Sequence, residues 1–283
     1  MTTTDDRATR SPAPSRTPDA SRVEKLSRAV LPPLGLGLAL VGFWYYVSYI
    51  VLEERRRFLL RPIHQVIKVG FLDADNLTEE LQALWSSPRI ALIGLSIAIC
   101  IGFTLAITMS QTKIFEKAIF PYMVTLQAIP ILAVVPLISF WFGTGPTSRI
   151  VVCVMISLFP IIVNTLFGLQ SVSPQMRDLF KITHSSRWTT LRRLEFPAAL
   201  PAIFTGLRIS AGMAVVGAIV ADFFFRRGQS GIGLAIDTYR NLLDGEMLYG
   251  AIILASLLGL AAFWLFGLLS RLVVGKWYQP DRR

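Results

Sequence analysis

Five polar residues stand inside long apolar runs and are candidates for handling a solute: Gln127, Asn164, Thr165, Arg208 and Asp222. An ionisable side chain in such a run is costly unless it faces water or a partner, so Arg208 and Asp222 are either functional or internally paired. Asp222 precedes Arg226 by one helical turn, and the spacing predicts a structural pair between them. Gln127, Asn164 and Thr165 can line a pathway or bond between helices. Arg208 can serve the inner end of a pathway or reach toward an interface or a backbone carbonyl.

Covalent and metal chemistry find little material. The chain has two histidines, His64 and His184, and two cysteines, Cys100 and Cys153, both within apolar runs. Neither a metal-ligand spacing nor a disulfide framework results, and a membrane-embedded enzyme would need a denser cluster of acids, bases or nucleophiles. "GQSGIGLAI", 228–236, is glycine-rich but lacks the Lys-Ser/Thr of a phosphate-binding loop; its three glycines before an apolar turn suit a re-entrant outer loop.

The elements that position these residues are apolar blocks. The 283 residues are 53% hydrophobic and only 16% charged, with a mean hydropathy of +0.55; soluble domains carry about 25% charged residues. A bilayer core of about 30 Å takes about 20 apolar residues as a helix. Six stretches qualify: 31–52, 89–110, 118–142, 149–170, 198–225 and 247–273. The fold class expected is an all-α membrane protein of six spans. Ser87 and Pro88 offer a start for the second, and Pro130 and Pro136 predict a kink or break in the third. Residues 1–30 and 276–283 read as tails, the first disordered, and 58–88 as helices along the outer surface.

With both termini in the cytoplasm, inner segments hold 17 Lys and Arg and outer segments 10, which fixes the expected orientation. The net charge of +10 is thereby a topology signal and not a nucleic-acid footprint.

The cytoplasmic stretch 173–197 breaks the pattern. "SVSPQMRDLFKI" starts with Ser173 as cap and Pro174 at the first helical position; "SSRWTTLRRLEF" starts again at Ser185 or Ser186 and ends at Pro197. Two short helices joined near His184 form a knob that offers Leu179, Phe180, Trp188 and Leu191 to a partner. Arg187, Arg192 and Arg193 form its rim. A basic loop held by anionic headgroups is the alternative.

"LRRLEFPAALPAIFTGLRISAGMAVVGAIVAD", "AIPILAVVPLISFWFGTGPTSRI" and "LFPIIVNTLFGLQSV" resemble, in order and spacing, the permease subunits of ABC importers of the nitrate/sulfonate/taurine type. The resemblance covers residues 58–275. It implies a type I importer fold with cytoplasmic termini in the cell membrane, and a knob that couples to a separate ATPase. Asp178 takes the position of the usual Glu of that coupling loop, Leu179 and Phe180 those of alanines, and His184 that of the turn glycine. That last change removes easy access to positive φ, so either the joint is expected to differ or the His184 side chain to have a partner of its own. The implied partners are two ATPase subunits, which bind the ATP and Mg, a solute-binding protein and a second permease copy. The chain itself is expected to hold no cofactor and to catalyse nothing. The implied solute is small and anionic or aromatic/heterocyclic, and Arg208 tilts the choice toward an anion. An ATP-independent channel is the alternative.

Overall fold

The computed structural model describes residues 18–226 and 231–275, which divide at Pro62 into two units. In the first unit, α1 runs from Pro18 to Tyr46 and continues through a wider π turn, Val47–Val51. Its apolar part, Val30–Val51, is long enough to cross a bilayer. A 3₁₀ turn, Glu54–Leu59, folds back on the helix end. Trp44 Nε1 donates to the Arg61 carbonyl at 2.9 Å and Ser48 Oγ to that of Leu60 at 2.8 Å. The disordered reading of 1–30 is corrected in its second half. The helix begins at Pro18, a residue suited to a first helical position, and no glycine or proline follows until Pro32. Residues 1–17 and 276–283, also read as tails, lie outside the described residues.

The second unit opens with α2, Ile63–Val66, extended by a π turn to Phe71. Asp73 then caps α3, Ala74–Gln111, its carboxylate accepting from the backbone of Asp75 and Asn76. The expected start at Ser87–Pro88 is overturned: Pro88 lies mid-helix. "LTEELQALW" is already strongly helix-forming, so the turn upstream of the proline is in place and only one backbone bond is lost. The second half of the 58–88 surface stretch is therefore continuous with a span.

Thr112 caps α4, Lys113–Ala128, and α5 follows as Ile131–Phe142. The two meet at 98° across Ile129 and Pro130, the break foreseen from the prolines; Pro136 stays within α5. Next come α6, Pro146–Gln170, and the short α7, Pro174–Ile182, and α8, Arg187–Thr190. A π turn, Leu191–Glu195, leads into α9, Phe196–Phe224; α10, Ile232–Leu242, and α11, Gly245–Val274, complete the chain.

Glycines set how closely the long helices pack. A Cβ on Gly94 would lie 2.4 Å from the Cys153 Cβ, and one on Gly102 would lie 2.7 Å from Ile161. Both numbers rise together, so α3 and α6 run parallel. On the other side of α6, Gly217 faces Cys153 and Gly206 faces Asn164, so α9 is antiparallel to it. Close approach through small residues is how membrane helices gain van der Waals contact without a hydrophobic driving force. A core of Leu95, Ala98, Ile161, Ile162, Leu169, Ile203 and Ala214 fills the space between these three. Since α3 ends beside the knob and α6 begins at the opposite end, the bent α4–α5 pair carries the chain across once. With it, the second unit has five candidate spans among the described residues, and α1 supplies a sixth.

Candidate functional site

The knob is built by its caps. Ser173 and Pro174 start α7 at the place the sequence predicts, with no capping hydrogen bond from the Ser173 side chain. The helix closes with Ser185 N donating to Phe180 O at 3.0 Å and His184 N to Lys181 O at 2.9 Å, the paired bonds of a Schellman motif. His184 occupies its left-handed position with φ of 51°. The joint thus keeps the geometry that a glycine would adopt, contrary to the first of the two expected outcomes; histidine is among the side chains that tolerate this region. Ser186 caps α8, its hydroxyl accepting from Thr189 N at 3.2 Å.

Pro197 does not end the second helix. The backbone stays helical from Arg187 to Phe224. The π turn at Leu191–Glu195 widens the helix where the proline ring would crowd the carbonyl one turn back.

Leu179 and Trp188 project from the knob, 53% and 68% exposed, and Phe180 is half-buried. Met176 and Ile182, which the sequence reading passed over, are also exposed and enlarge the apolar face. Asp178 pairs with Lys181 at 2.8 Å, and Arg187, Arg192 and Arg193 are exposed around it. Leu191 is corrected: it is buried in the helix core beside Leu166, Leu169 and Ala199, and so anchors the knob. Arg177 reinforces that anchor, donating to Leu169 O at 2.9 Å and meeting Glu195 at 3.4 Å.

At the far end of α9 lies a buried polar junction. Asp222 does not pair with Arg226. It meets Arg149 of α6 at 3.1 Å, both side chains almost wholly enclosed. Ser87 of α3 donates to Asp222 at 3.1 Å and accepts from Ile232 N at 3.1 Å; Gly233 N also faces the carboxylate. Arg149 Nε donates to the Phe225 carbonyl at 2.9 Å. Four helices meet there on one charge pair, each charge hydrogen-bonded, as burial demands. Arg226 turns instead to Asp237, which Arg240 also holds. A Cβ on Gly233 would collide with Ile219 O and Asp222 Cβ, and one on Gly231 with the Asp222 carboxylate, so these two glycines let α10 close on α9. Residues 227–230 lie outside the described residues; from Gly231 onward the stretch is the start of α10.

The other expected pathway residues do not converge. Gln127 is exposed on α4. Asn164 donates to the Pro160 carbonyl at 2.8 Å and packs on Gly206, while Thr165 is buried in α6. Arg208 turns to α11, its guanidinium 3.7 Å from the centre of the Phe263 ring. A cavity of about 850 Å³ opens between α3 and α10, lined by Glu79, Gln82, Trp85 and Tyr239. Tyr239 donates to Glu79 at 3.0 Å, and burial, with the carboxylate beside it, holds its phenol protonated well above the ordinary range. Among the described residues no three His, Cys, Asp or Glu converge as a metal site.

Comparison with known proteins agrees with this architecture. Residues 98–275 match the model of the binding-protein-dependent transport system inner membrane component family. The riboflavin transport system permease protein RibX of Chloroflexus aurantiacus is 33% identical over 89% of this chain and 94% of its own length. The nitrate import permease protein NrtB of a Synechocystis strain is 32% identical over 79% and 78%. The formylaminopyrimidine transport permease protein ThiX of Halalkalibacterium halodurans is 34% identical over 60% and 68%. In fold, the chain resembles one from a crystal structure of an amino acid ABC transporter with histidines, at 17% identity. The TM-score is 0.56, over 71% of this chain and 97% of that one. With its apolar spans and glycine-packed helices, the chain belongs to the binding-protein-dependent transport system inner membrane component family, the multi-pass membrane permeases of ABC importers.

Proposed function

We propose that this permease couples ATP hydrolysis in a partner to solute entry through the α7–α8 knob, with the knob and both termini in the cytoplasm. The observation that carries this reading is the apolar face of Met176, Leu179, Ile182 and Trp188, held out from the bundle by two capped helices. Such a face on a basic surface is suited to a cleft in another protein. Two ATPase subunits, which bind ATP and Mg, would each grip one knob of a permease pair. A solute-binding protein would dock at the opposite end, over the α3–α10 cavity. Alternation of the two ends then moves the solute inward.

The geometry favours an uncharged, ring-bearing solute over a small inorganic anion. Among the described residues, Arg149 is engaged by Asp222 and Arg208 is turned to α11, so the exposed face of α9, with Thr205, Ile209, Met213 and Val216, presents no cation. Gln127 on α4 is the one expected pathway residue that remains exposed. A flavin- or pyrimidine-like heterocycle fits such a lining, and the near full-length similarity to a riboflavin permease supports the same class.

Proteoliposomes holding the permease, its ATPase and its binding protein test this. ATP-dependent uptake of riboflavin or a related heterocycle, with no uptake of nitrate, is the expected result. Nitrate uptake would refute the solute class. Failure to co-purify with any ATPase, or labelling of a cysteine placed at Ser185 from outside the cell, would refute the coupling role.

A further inference from the structure

Arg208 and Arg271 line one cavity of about 510 Å³ between α9 and α11, with Trp264, Leu265, Gly267 and Leu268 as its remaining prominent walls. No carboxylate borders it among the described residues. Two guanidiniums therefore share this space with no carboxylate to balance them. The Phe263 ring under Arg208 offsets part of the cost. Arg208 Nε is nevertheless enclosed without a hydrogen-bond partner.

The side chains converge for a geometric reason. Helical side chains tilt toward their own N-terminus, and α9 and α11 are antiparallel. Arg208 therefore leans toward the knob end, and Arg271, from the last turn of α11, leans away from that end toward Arg208. Gly267 leaves the path open: a Cβ there would stand 3.3 Å from Arg208 Nε. Trp264, Leu265 and Leu268 are exposed as well as lining the cavity, and with Leu272 they continue it as an apolar strip along α11.

We infer that this cavity binds the phosphate of an anionic phospholipid, with the two arginines on the headgroup and the acyl chains along the Trp264–Leu268 strip. An apolar strip leading from a paired cation site matches a ligand that is itself an anion with apolar tails, and a soluble oxyanion would leave the strip unused. Basic pockets between membrane helices take up such headgroups by the same physics. The inference is independent of the transported solute and of the ATPase. Only the leaflet concerned, the inner one, follows from the proposed orientation.

The full-length chain in mild detergent is titrated with phosphatidylglycerol, phosphatidylcholine or inorganic phosphate. Native mass spectrometry then counts retained lipid, and thermal unfolding reports the shift in Tm. Phosphatidylglycerol is expected to be retained and to raise Tm; phosphatidylcholine and phosphate are expected to do neither. Arg271→Gln, on an exposed side chain, is expected to weaken retention about fivefold, and Arg208→Gln with Arg271→Gln to erase the lipid preference. Should Arg208→Gln not fold, Gly267→Ala, which crowds the Arg208 side chain, is expected to weaken retention as well. Equal retention of both lipids by the unaltered protein, or a preference that survives in Arg271→Gln and Gly267→Ala, would overturn the site. Competition by inorganic phosphate as effective as that by phosphatidylglycerol would replace the lipid with a soluble anion and overturn it too.

Discussion

Arg149 and Asp222 meet at 3.1 Å in the interior, with Ser87 and the backbone of Gly233 closing around the carboxylate. The pair joins α6 to α9, and its hydrogen bonds add α3 and α10, so one contact ties four helices.

Removing one half of this pair leaves the other charge buried. Asp222→Asn and Arg149→Gln are each expected to destabilise the protein by about 3–5 kcal/mol. Replacing both residues, as Arg149→Met with Asp222→Leu, is expected to recover most of that loss. Thermal or denaturant unfolding in detergent gives the double-mutant cycle; additive losses would show that the two residues do not act as a pair.

The knob separates into a contacting surface and an anchor. Leu179→Glu and Trp188→Glu, on exposed positions, are expected to change stability by no more than about 0.5 kcal/mol while abolishing ATPase stimulation by the loaded binding protein. Leu191→Ala is expected to cost about 2–5 kcal/mol because it empties a core position. Unfolding and ATPase measurements on the same preparations distinguish the two classes.

His184 holds a backbone conformation that disfavours most side chains. His184→Gly is expected to be neutral or stabilising by up to about 1 kcal/mol, and His184→Val to destabilise by about 1–2 kcal/mol, since a β-branched residue resists positive φ. The order Gly, His, Val in Tm checks the Schellman joint directly.

Helix approach can be tested at Gly206. A Cβ there would lie 2.8 Å from the Asn164 Cβ and 2.9 Å from the Pro160 carbonyl. Gly206→Ala is expected to push α6 and α9 apart and to lower stability by about 1–3 kcal/mol. An unaltered Tm would mean that the crossing is looser than this spacing.

Long apolar runs made the spans legible, because a bilayer leaves few alternatives to a helix of that length. The break at Pro130, the start of α7 at Ser173 and Pro174 and the cap at Ser186 were legible for a similar local reason. What the sequence could not show was partner choice. Asp222 had a near neighbour of the right charge in Arg226, yet the bundle brought Arg149 closer from another helix, and Asp237 took Arg226 instead. Ser87 and Pro88 look like a helix start until the upstream turns are seen to continue. Leu191 was misplaced because the short helix was expected to stop at Pro197, whereas its continuation into α9 turns that residue inward. Arg271 carried no signal beyond being one more basic residue near the end of the chain.

From Arg187 to Phe224 the backbone remains helical through two prolines, with one wide turn at 191–195. Thirty-eight residues at helical rise make a strut of about 57 Å, so a tilt of roughly 5° at one end displaces the other by roughly 5 Å. Trp188 and Asp222 sit near its two extremities. One continuous backbone therefore joins the exposed indole to the enclosed carboxylate and its contact with Arg149.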